Sequence, residues 1–89
     1  MTSPSSRITM YRTQACPYCV AAEALLVGKG VALEQVFLDD HPDRRSFLLG
    51  LKPGHRTVPL VVIDGTAVGG FDDLEALDAA GRLDALLGI

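Results

Sequence analysis

The chain has 89 residues, of which 48% are hydrophobic and 21% are charged, and its formal net charge at pH 7 is −3. This length and composition suit one compact domain, which we assign to residues 7–89 after a short disordered tail at residues 1–6. The net charge offers no basic field for nucleic acid, and no apolar stretch is long enough for a signal peptide or a membrane span. We therefore expect a cytoplasmic monomer that binds neither nucleic acid nor membranes.

The first predicted elements are a strand and a helix that meet at a pair of cysteines. Residues 7–11 have the β-branched and aromatic content of a short strand, and residues 12–15 read as a loop. Apolar side chains then recur at helical spacing up to residue 27, where Gly28-Lys29-Gly30 supplies a stop. The intervening Cys16-Pro17-Tyr18-Cys19 therefore lies where the strand gives way to the helix.

The position of the two cysteines at a helix start predicts redox chemistry. Pro17 suits the first helical position, where its missing N–H costs nothing. Unpaired N–H groups and the helix dipole favour an anion at such a start, so we expect the Cys16 thiolate to be stabilised and to act as the nucleophile. Cys19, one turn further along, is then the resolving thiol that stays protonated until it is needed.

Three other interpretations of the cysteine pair have less support. A zinc site would need two further ligands from His41 and His55, which lie in polar loops without ligand spacing, so we expect no metal. A structural disulfide between Cys16 and Cys19 would close a very small loop and gain little chain entropy. Two unrelated buried cysteines would not explain the placement at a strand-to-helix junction.

The remaining pattern predicts an α/β sandwich. Residues 31–38 read as a second strand, and the turn at residues 39–43 leads into a helix over residues 44–51. Two apolar strands at residues 60–63 and 66–69 flank Asp64-Gly65, the signature of a hairpin with a type I′ turn. A helix follows Gly69-Gly70, and Gly81 separates it from a last short helix. The predicted order is β-α-β-α-β-β-α(-α).

Two later segments are candidates for ligand binding. Thr57-Val58-Pro59 precedes an apolar strand, where a proline either simply starts the strand or follows a cis bond that exposes the Val58 backbone to an extended peptide-like ligand. Asp72-Asp73 opens a helix after two glycines, so it caps that helix. The same helix start could also hold the carboxylate and ammonium of an amino acid.

In their order and spacing, Cys-Pro-Tyr-Cys, Thr-Val-Pro and Gly-Gly-Phe-Asp-Asp resemble the motifs of a dithiol glutaredoxin. The resemblance covers the chain from about residue 7 to residue 87. It implies a thioredoxin-like fold, in which a central four-stranded mixed sheet is flanked by helices, and a cis proline at Pro59. It also implies that glutathione is the co-substrate and that Cys16 and Cys19 form a redox-active disulfide.

By the same resemblance, a further set of residues binds glutathione. These are Tyr18, Thr57, Val58, Pro59, Gly70, Phe71, Asp72 and Asp73. Tyr18 would flank the glutathione sulfur, while Thr57 and Val58 would pair with its cysteinyl backbone. Asp72, Asp73 and Gly70 would receive the γ-glutamyl end. We expect Phe71 to pack rather than to bind.

Two positions depart from the family's usual pattern at the site for the glycine carboxylate. Thr13 stands where a basic residue is common, and the adjacent Arg12 is the candidate to replace it. His55 stands where Gln or Arg is often found, with Arg56 beside it. These departures bear on the affinity for glutathione.

The resemblance implies an oxidoreductase that reduces glutathionylated proteins and protein disulfides such as that of ribonucleotide reductase, with glutathione reductase supplying electrons indirectly. Thr13 and His55 leave open a redoxin that takes electrons from thioredoxin reductase or another low-molecular-weight thiol. An iron–sulfur carrier is less favoured, because cluster-binding relatives usually have a small residue where Pro17 stands. A non-catalytic binding module would not need the intact cysteine pair.

Overall fold

A computed structural model of the chain describes residues 7–89, and the predicted tail at residues 1–6 lies outside the described residues. The strands and helices follow one another in the predicted order. They are β1 (Ile8–Arg12), α1 (Pro17–Gly28), β2 (Glu34–Phe37), α2 (Arg44–Leu51), β3 (Leu60–Ile63), β4 (Thr66–Gly69), α3 (Phe71–Ala79) and α4 (Leu83–Leu87). Within the described part of the chain, no helix is both long and apolar enough to cross a lipid bilayer.

The four strands form one mixed sheet in the order β2-β1-β3-β4. β1 pairs with β2 in parallel and with β3 antiparallel, and β3 pairs antiparallel with β4. The parallel pair requires a crossover connection, which α1 supplies. This sheet, with helices flanking it, confirms the predicted thioredoxin-like class.

The second strand is shorter than the sequence predicts. Residues 31–38 read as extended, but β2 spans only Glu34–Phe37. Its register runs from Thr9 opposite Glu34 to Arg12 opposite Phe37, so β2 and β1 end together, while residues 31–33 make no ladder with β1. Val31 and Leu33 lie outside the ladder and instead pack their side chains against the core.

Alternation along the central strands divides the core into two layers. Ile8 and Met10 point to one face of the sheet, where they meet residues of α1, α3 and α4 such as Leu26 and Leu74. Tyr11 and Leu60 point to the other face, toward a smaller cluster that includes Leu48 of α2. The helices thus cover both faces of the sheet and leave one end of it free for a site.

The hairpin and the proline segment have the predicted backbone. Asp64 and Gly65 both adopt positive φ, 51° and 81°, as a two-residue type I′ turn requires. The Val58–Pro59 peptide bond is cis, which confirms the expectation from the family resemblance. It directly precedes β3, next to the N-terminus of α1.

Candidate active site

Cys16 occupies the N-cap of α1. Its backbone is extended, with φ −131° and ψ 106°, and Pro17 follows in the first turn. The Cys19 backbone N–H donates a hydrogen bond to Cys16 Sγ over 3.2 Å. The sulfur therefore takes the place that a Ser or Asp oxygen takes in an ordinary helix cap, where a negative charge is favoured by the helix dipole.

Cys19 is fully buried, and both cysteines are free thiols. Burial, followed by the hydrogen bond with Cys16, raises the pKa of Cys19 to about 12. Hydrogen bonding from the Thr13 backbone and the positive charge of Arg12 act in the opposite direction on this pKa but are outweighed. The two sulfurs thus differ in exposure, and the inner one holds its proton at neutral pH.

A groove opens beside Cys16. It has a volume of about 300 Å³, at the lower end of the range for small-molecule sites. The residues that line it are Tyr18, His55, Thr57, Val58, Pro59, Gly70, Phe71, Asp72 and Asp73. Cys16 Sγ lies 3.9 Å from the Val58 carbonyl oxygen, so the sulfur adjoins the groove.

The N-terminus of α3 forms one part of the groove lining. The Asp73 carboxylate accepts a hydrogen bond of 2.9 Å from the Gly70 N–H, which caps the helix. The first intrahelical bond runs from Leu74 N–H to the Gly70 carbonyl, so the N–H groups of residues 71–73 have no helical acceptor. The exposed Asp72 adds a carboxylate at the same place.

His55 connects the proline segment to the start of α3. Its Nε2 lies 3.1 Å from the Pro59 carbonyl oxygen, and because that oxygen can only accept, Nε2 is the nitrogen that carries hydrogen. The ring also lies close to Gly70, where an added Cβ would stand 3.2 Å from His55 Cε1. Nearby, the rings of Tyr18 and Phe71 are 6.4 Å apart between centroids.

The structure does not bring Arg12, Thr13 or Arg56 into the groove lining. Arg12 is buried, and its Nη1 donates to Glu23 over 2.8 Å and to Gln35 over 2.7 Å. In this structure Arg12 therefore does not face the groove in which a replacement for the basic residue missing at Thr13 would act. The alternation of β1 directs Arg12 toward α1, where a carboxylate neutralises it, whereas Arg56 is exposed to solvent.

Several residues around the cysteines have roles that the sequence analysis missed. Glu23 and Gln35 bind each other as well as Arg12, with Gln35 Nε2 donating to Glu23 over 3.0 Å. Asp39 accepts from the Gln14 backbone N–H, with both carboxylate oxygens at 3.2 Å, and so supports the loop before Cys16. The spacing of Glu23, four residues after Cys19 on one helix, was the available signal.

The histidines do not form a metal centre with the cysteines. His41 Nδ1 accepts a hydrogen bond from the Asp43 backbone N–H over 3.0 Å, and His55 Nε2 is hydrogen-bonded to the Pro59 carbonyl oxygen. Across residues 7–89, no cluster of three or more His, Cys, Asp or Glu side chains is placed to hold a metal ion.

Comparison with known proteins agrees with the geometry. The family model for glutaredoxin matches residues 8–68. A glutaredoxin of Pseudomonas aeruginosa is 48% identical over 80 residues, covering 90% of this chain and 94% of that protein. Glutaredoxin 3 of Escherichia coli K12 is 42% identical over 82 residues, covering 92% of this chain and 98% of that protein.

A solved structure gives the same result for the fold. The crystal structure of a buckwheat glutaredoxin–glutathione complex matches with a TM-score of 0.85 at 28% identity, over 93% of this chain and 77% of that one. The family model, the similar proteins and the similar structure all agree with a fold in which a cysteine of the pair caps a helix. The chain belongs to the glutaredoxin family of thiol-disulfide oxidoreductases.

Proposed function

We propose that this glutaredoxin reduces glutathione mixed disulfides and protein disulfides, with Cys16 as the nucleophile and Cys19 as the resolving thiol. The observation that carries the proposal is the position of Cys16 Sγ at a helix N-cap, 3.9 Å from the Val58 carbonyl beside the groove. The buckwheat relative of the same fold was solved in complex with glutathione. Glutathione is accordingly the co-substrate proposed for this chain.

The groove offers partners for the γ-glutamyl and cysteinyl parts of glutathione. The N–H groups at the start of α3 suit the γ-glutamyl carboxylate, because they lack helical acceptors and carry the positive end of the helix dipole. Asp72 suits the ammonium group, since the Asp73 carboxylate is already bonded to the Gly70 N–H. Thr57 and Val58 are proposed to pair with the cysteinyl backbone, and Tyr18 to flank the sulfur.

The proposed reduction of a mixed disulfide requires only Cys16. Its thiolate attacks the glutathione sulfur, the substrate leaves as a thiolate that takes up a proton, and Cys16 becomes glutathionylated. A second glutathione then attacks this adduct, which releases oxidised glutathione and the Cys16 thiolate. For a protein disulfide, Cys16 forms a mixed disulfide with the target and Cys19 displaces it, so that the Cys16–Cys19 bridge forms.

The proposal includes the partners and the setting of the reaction. Glutathionylated proteins and ribonucleotide reductase are the proposed substrates, and glutathione reductase restores the glutathione. We place the protein in the cytoplasm, because a pair of free thiols that cycles through a disulfide needs a reducing compartment. We also propose that it acts as a monomer.

The test follows NADPH consumption with a glutathione mixed-disulfide substrate in the presence of glutathione and glutathione reductase. Cys16→Ser should abolish turnover, whereas Cys19→Ser should retain it and lose only the reduction of protein disulfides. Equal loss of both activities in Cys19→Ser would contradict the proposed roles.

A second candidate is a redoxin reduced by thioredoxin reductase. It is favoured by the groove's lack of the Arg12 guanidinium, which pairs with Glu23 instead. The same assay distinguishes the two, because turnover with NADPH and thioredoxin reductase but not with glutathione would replace the first proposal with the second.

A further inference from the structure

Arg12 is a charged residue in the interior of the domain, close to the resolving thiol. It ends β1 on the same face of the sheet as Ile8 and Met10, and its side chain is only 6% exposed. Its guanidinium contacts Glu23 and Gln35 and lies 4.9 Å above the centre of the Phe37 ring. A charge so enclosed is held in one position.

Helical spacing and the ion pair with Glu23 place this charge over the face of α1 that carries Cys19. Glu23 lies four residues after Cys19 on α1, so the two side chains share one face of the helix about 5–6 Å apart at Cβ. The guanidinium that binds Glu23 over 2.8 Å therefore lies over the face of α1 that carries Cys19, and its positive charge acts on the Cys19 thiol. Arg12 Nε also donates to the Thr13 carbonyl over 3.2 Å, which orders the loop segment next to the same sulfur.

We propose that Arg12 is a positioning residue for the resolving step: its buried positive charge stabilises the Cys19 thiolate, and Glu23 moderates that charge. The inference rests on the proposed role of Cys19 as the resolving thiol. Burial has the largest effect on the pKa of the Cys19 thiol and raises it, as Cys16 also does. The Thr13 backbone and Arg12 lower this pKa. The Glu23 side chain is 38% exposed, so its opposing charge is better screened by water than that of Arg12.

The step at which this charge acts is the closure of the internal disulfide. Cys19 first gives its proton to solvent, and its thiolate attacks Cys16 Sγ in the mixed disulfide. The bond between Cys16 and the target sulfur breaks, and the target leaves with the electron pair and is protonated. The cysteine pair is oxidised by two electrons and the target is reduced by two. Closure is therefore faster when a larger fraction of Cys19 is thiolate.

The test measures closure directly and contains no glutathione. The reduced protein is mixed with the chromophoric disulfide of thionitrobenzoate, which releases one coloured thiol on attack by Cys16 and a second on closure by Cys19. Cys19→Ser should show only the first release. In Arg12→Met the second release should be slower by about threefold, because a rise of about one unit in the pKa of Cys19 lowers the thiolate fraction about tenfold while the thiolate becomes a better nucleophile. Glu23→Gln should close faster than wild type, because the carboxylate that moderates the Arg12 charge is removed.

The opposite responses separate a charge effect from a structural brace. Both substitutions break the same ion pair, so a brace predicts that both slow closure to a similar extent. That result, or an unchanged rate in Arg12→Met, would overturn the proposal. If Arg12→Met does not fold, Glu23→Gln decides alone, since faster closure supports the proposal and an equal or slower rate overturns it. Arg44→Met, which removes an exposed positive charge on α2, is the matched control and should leave closure unchanged.

Because closure is measured with an artificial disulfide, the outcome does not depend on which reductant the protein uses. A failure of glutathione-driven turnover together with the predicted Arg12 and Glu23 responses would reject the proposed function and keep the inference. The reverse pattern would reject the inference alone.

Discussion

Gly69→Ala tests how the turn before α3 supports the groove. Gly69 has φ +126°, and a Cβ added there would overlap the Asp73 carboxylate that caps α3 at Gly70. The backbone strain should cost about 1–3 kcal/mol and the lost cap about 1 kcal/mol, together about 2–4 kcal/mol. At roughly 0.05–0.15 kcal/mol per residue, the free energy of unfolding of the 89 residues is about 4–13 kcal/mol. The variant should therefore still fold, but it should unfold at a lower urea concentration than wild type.

Urea unfolding followed by circular dichroism measures this loss. For a small chain the m-value is about 1 kcal/mol/M, so the midpoint should fall by about 2 M or more. Gly50→Ala is the matched control, because its added Cβ would meet no atom within 4 Å beyond the neighbouring backbone of its own helix, and its φ is not positive. It lies within α2 and should be neutral or stabilising by up to about 1 kcal/mol.

A double-mutant cycle separates the two causes of the Gly69→Ala effect. In an Asp73→Ala background the overlap with the carboxylate is gone, so Gly69→Ala should cost about 1 kcal/mol less than in wild type. The same cost in both backgrounds would refute the role of Asp73. A cost for Gly69→Ala no larger than that of Gly50→Ala would refute the argument from backbone strain.

Three further outcomes are expected. Leu26→Ala should lower the free energy of unfolding by about 2–5 kcal/mol because the side chain is fully buried, whereas Val27→Ala, 56% exposed, should change it by less than about 0.5 kcal/mol in the same urea assay. The hydrogen bond from Arg7 lowers the pKa of Asp64, so this carboxylate stabilises the fold above its ordinary pKa of 3.8 and loses that effect as pH falls through its lower folded value. Asp64→Asn should therefore be less stable than wild type at neutral pH and equally stable in strong acid; a difference that persists in acid would contradict this. Tyr18→Ala should raise KM for a glutathione mixed disulfide without altering the unfolding midpoint, because the ring lines the groove and is 63% exposed.

Local signals explain why the elements near the cysteines were predictable. Pro17 and the glycine stop bound α1, and its N-cap is Cys16, as the sequence indicates. The Asp64-Gly65 hairpin forms as predicted because both residues tolerate positive φ at little cost. Each of these features depends on the backbone preferences of a few neighbouring residues, which the surrounding fold does not reverse.

The length of β2 shows the limit of such reasoning. Residues 31–33 have a composition typical of a strand, but the pairing with β1 begins only at Thr9 and Glu34, although β1 itself begins at Ile8. A strand is defined by the bonds it makes to its neighbour, so its end depends on a segment more than twenty residues away in sequence. Composition alone could not locate that end.

Short motifs and local periodicity were enough to predict the family and the order of the elements, because both are encoded by residues close together in the chain. The environment of each charged side chain, in contrast, could be seen only in the folded domain. Arg12 was expected at the ligand, yet the pleat of β1 directs it inward to Glu23 and Gln35. Whether a charged side chain meets solvent, ligand or counter-ion depends on which elements pack over it, and that information is distributed over residues distant in the chain.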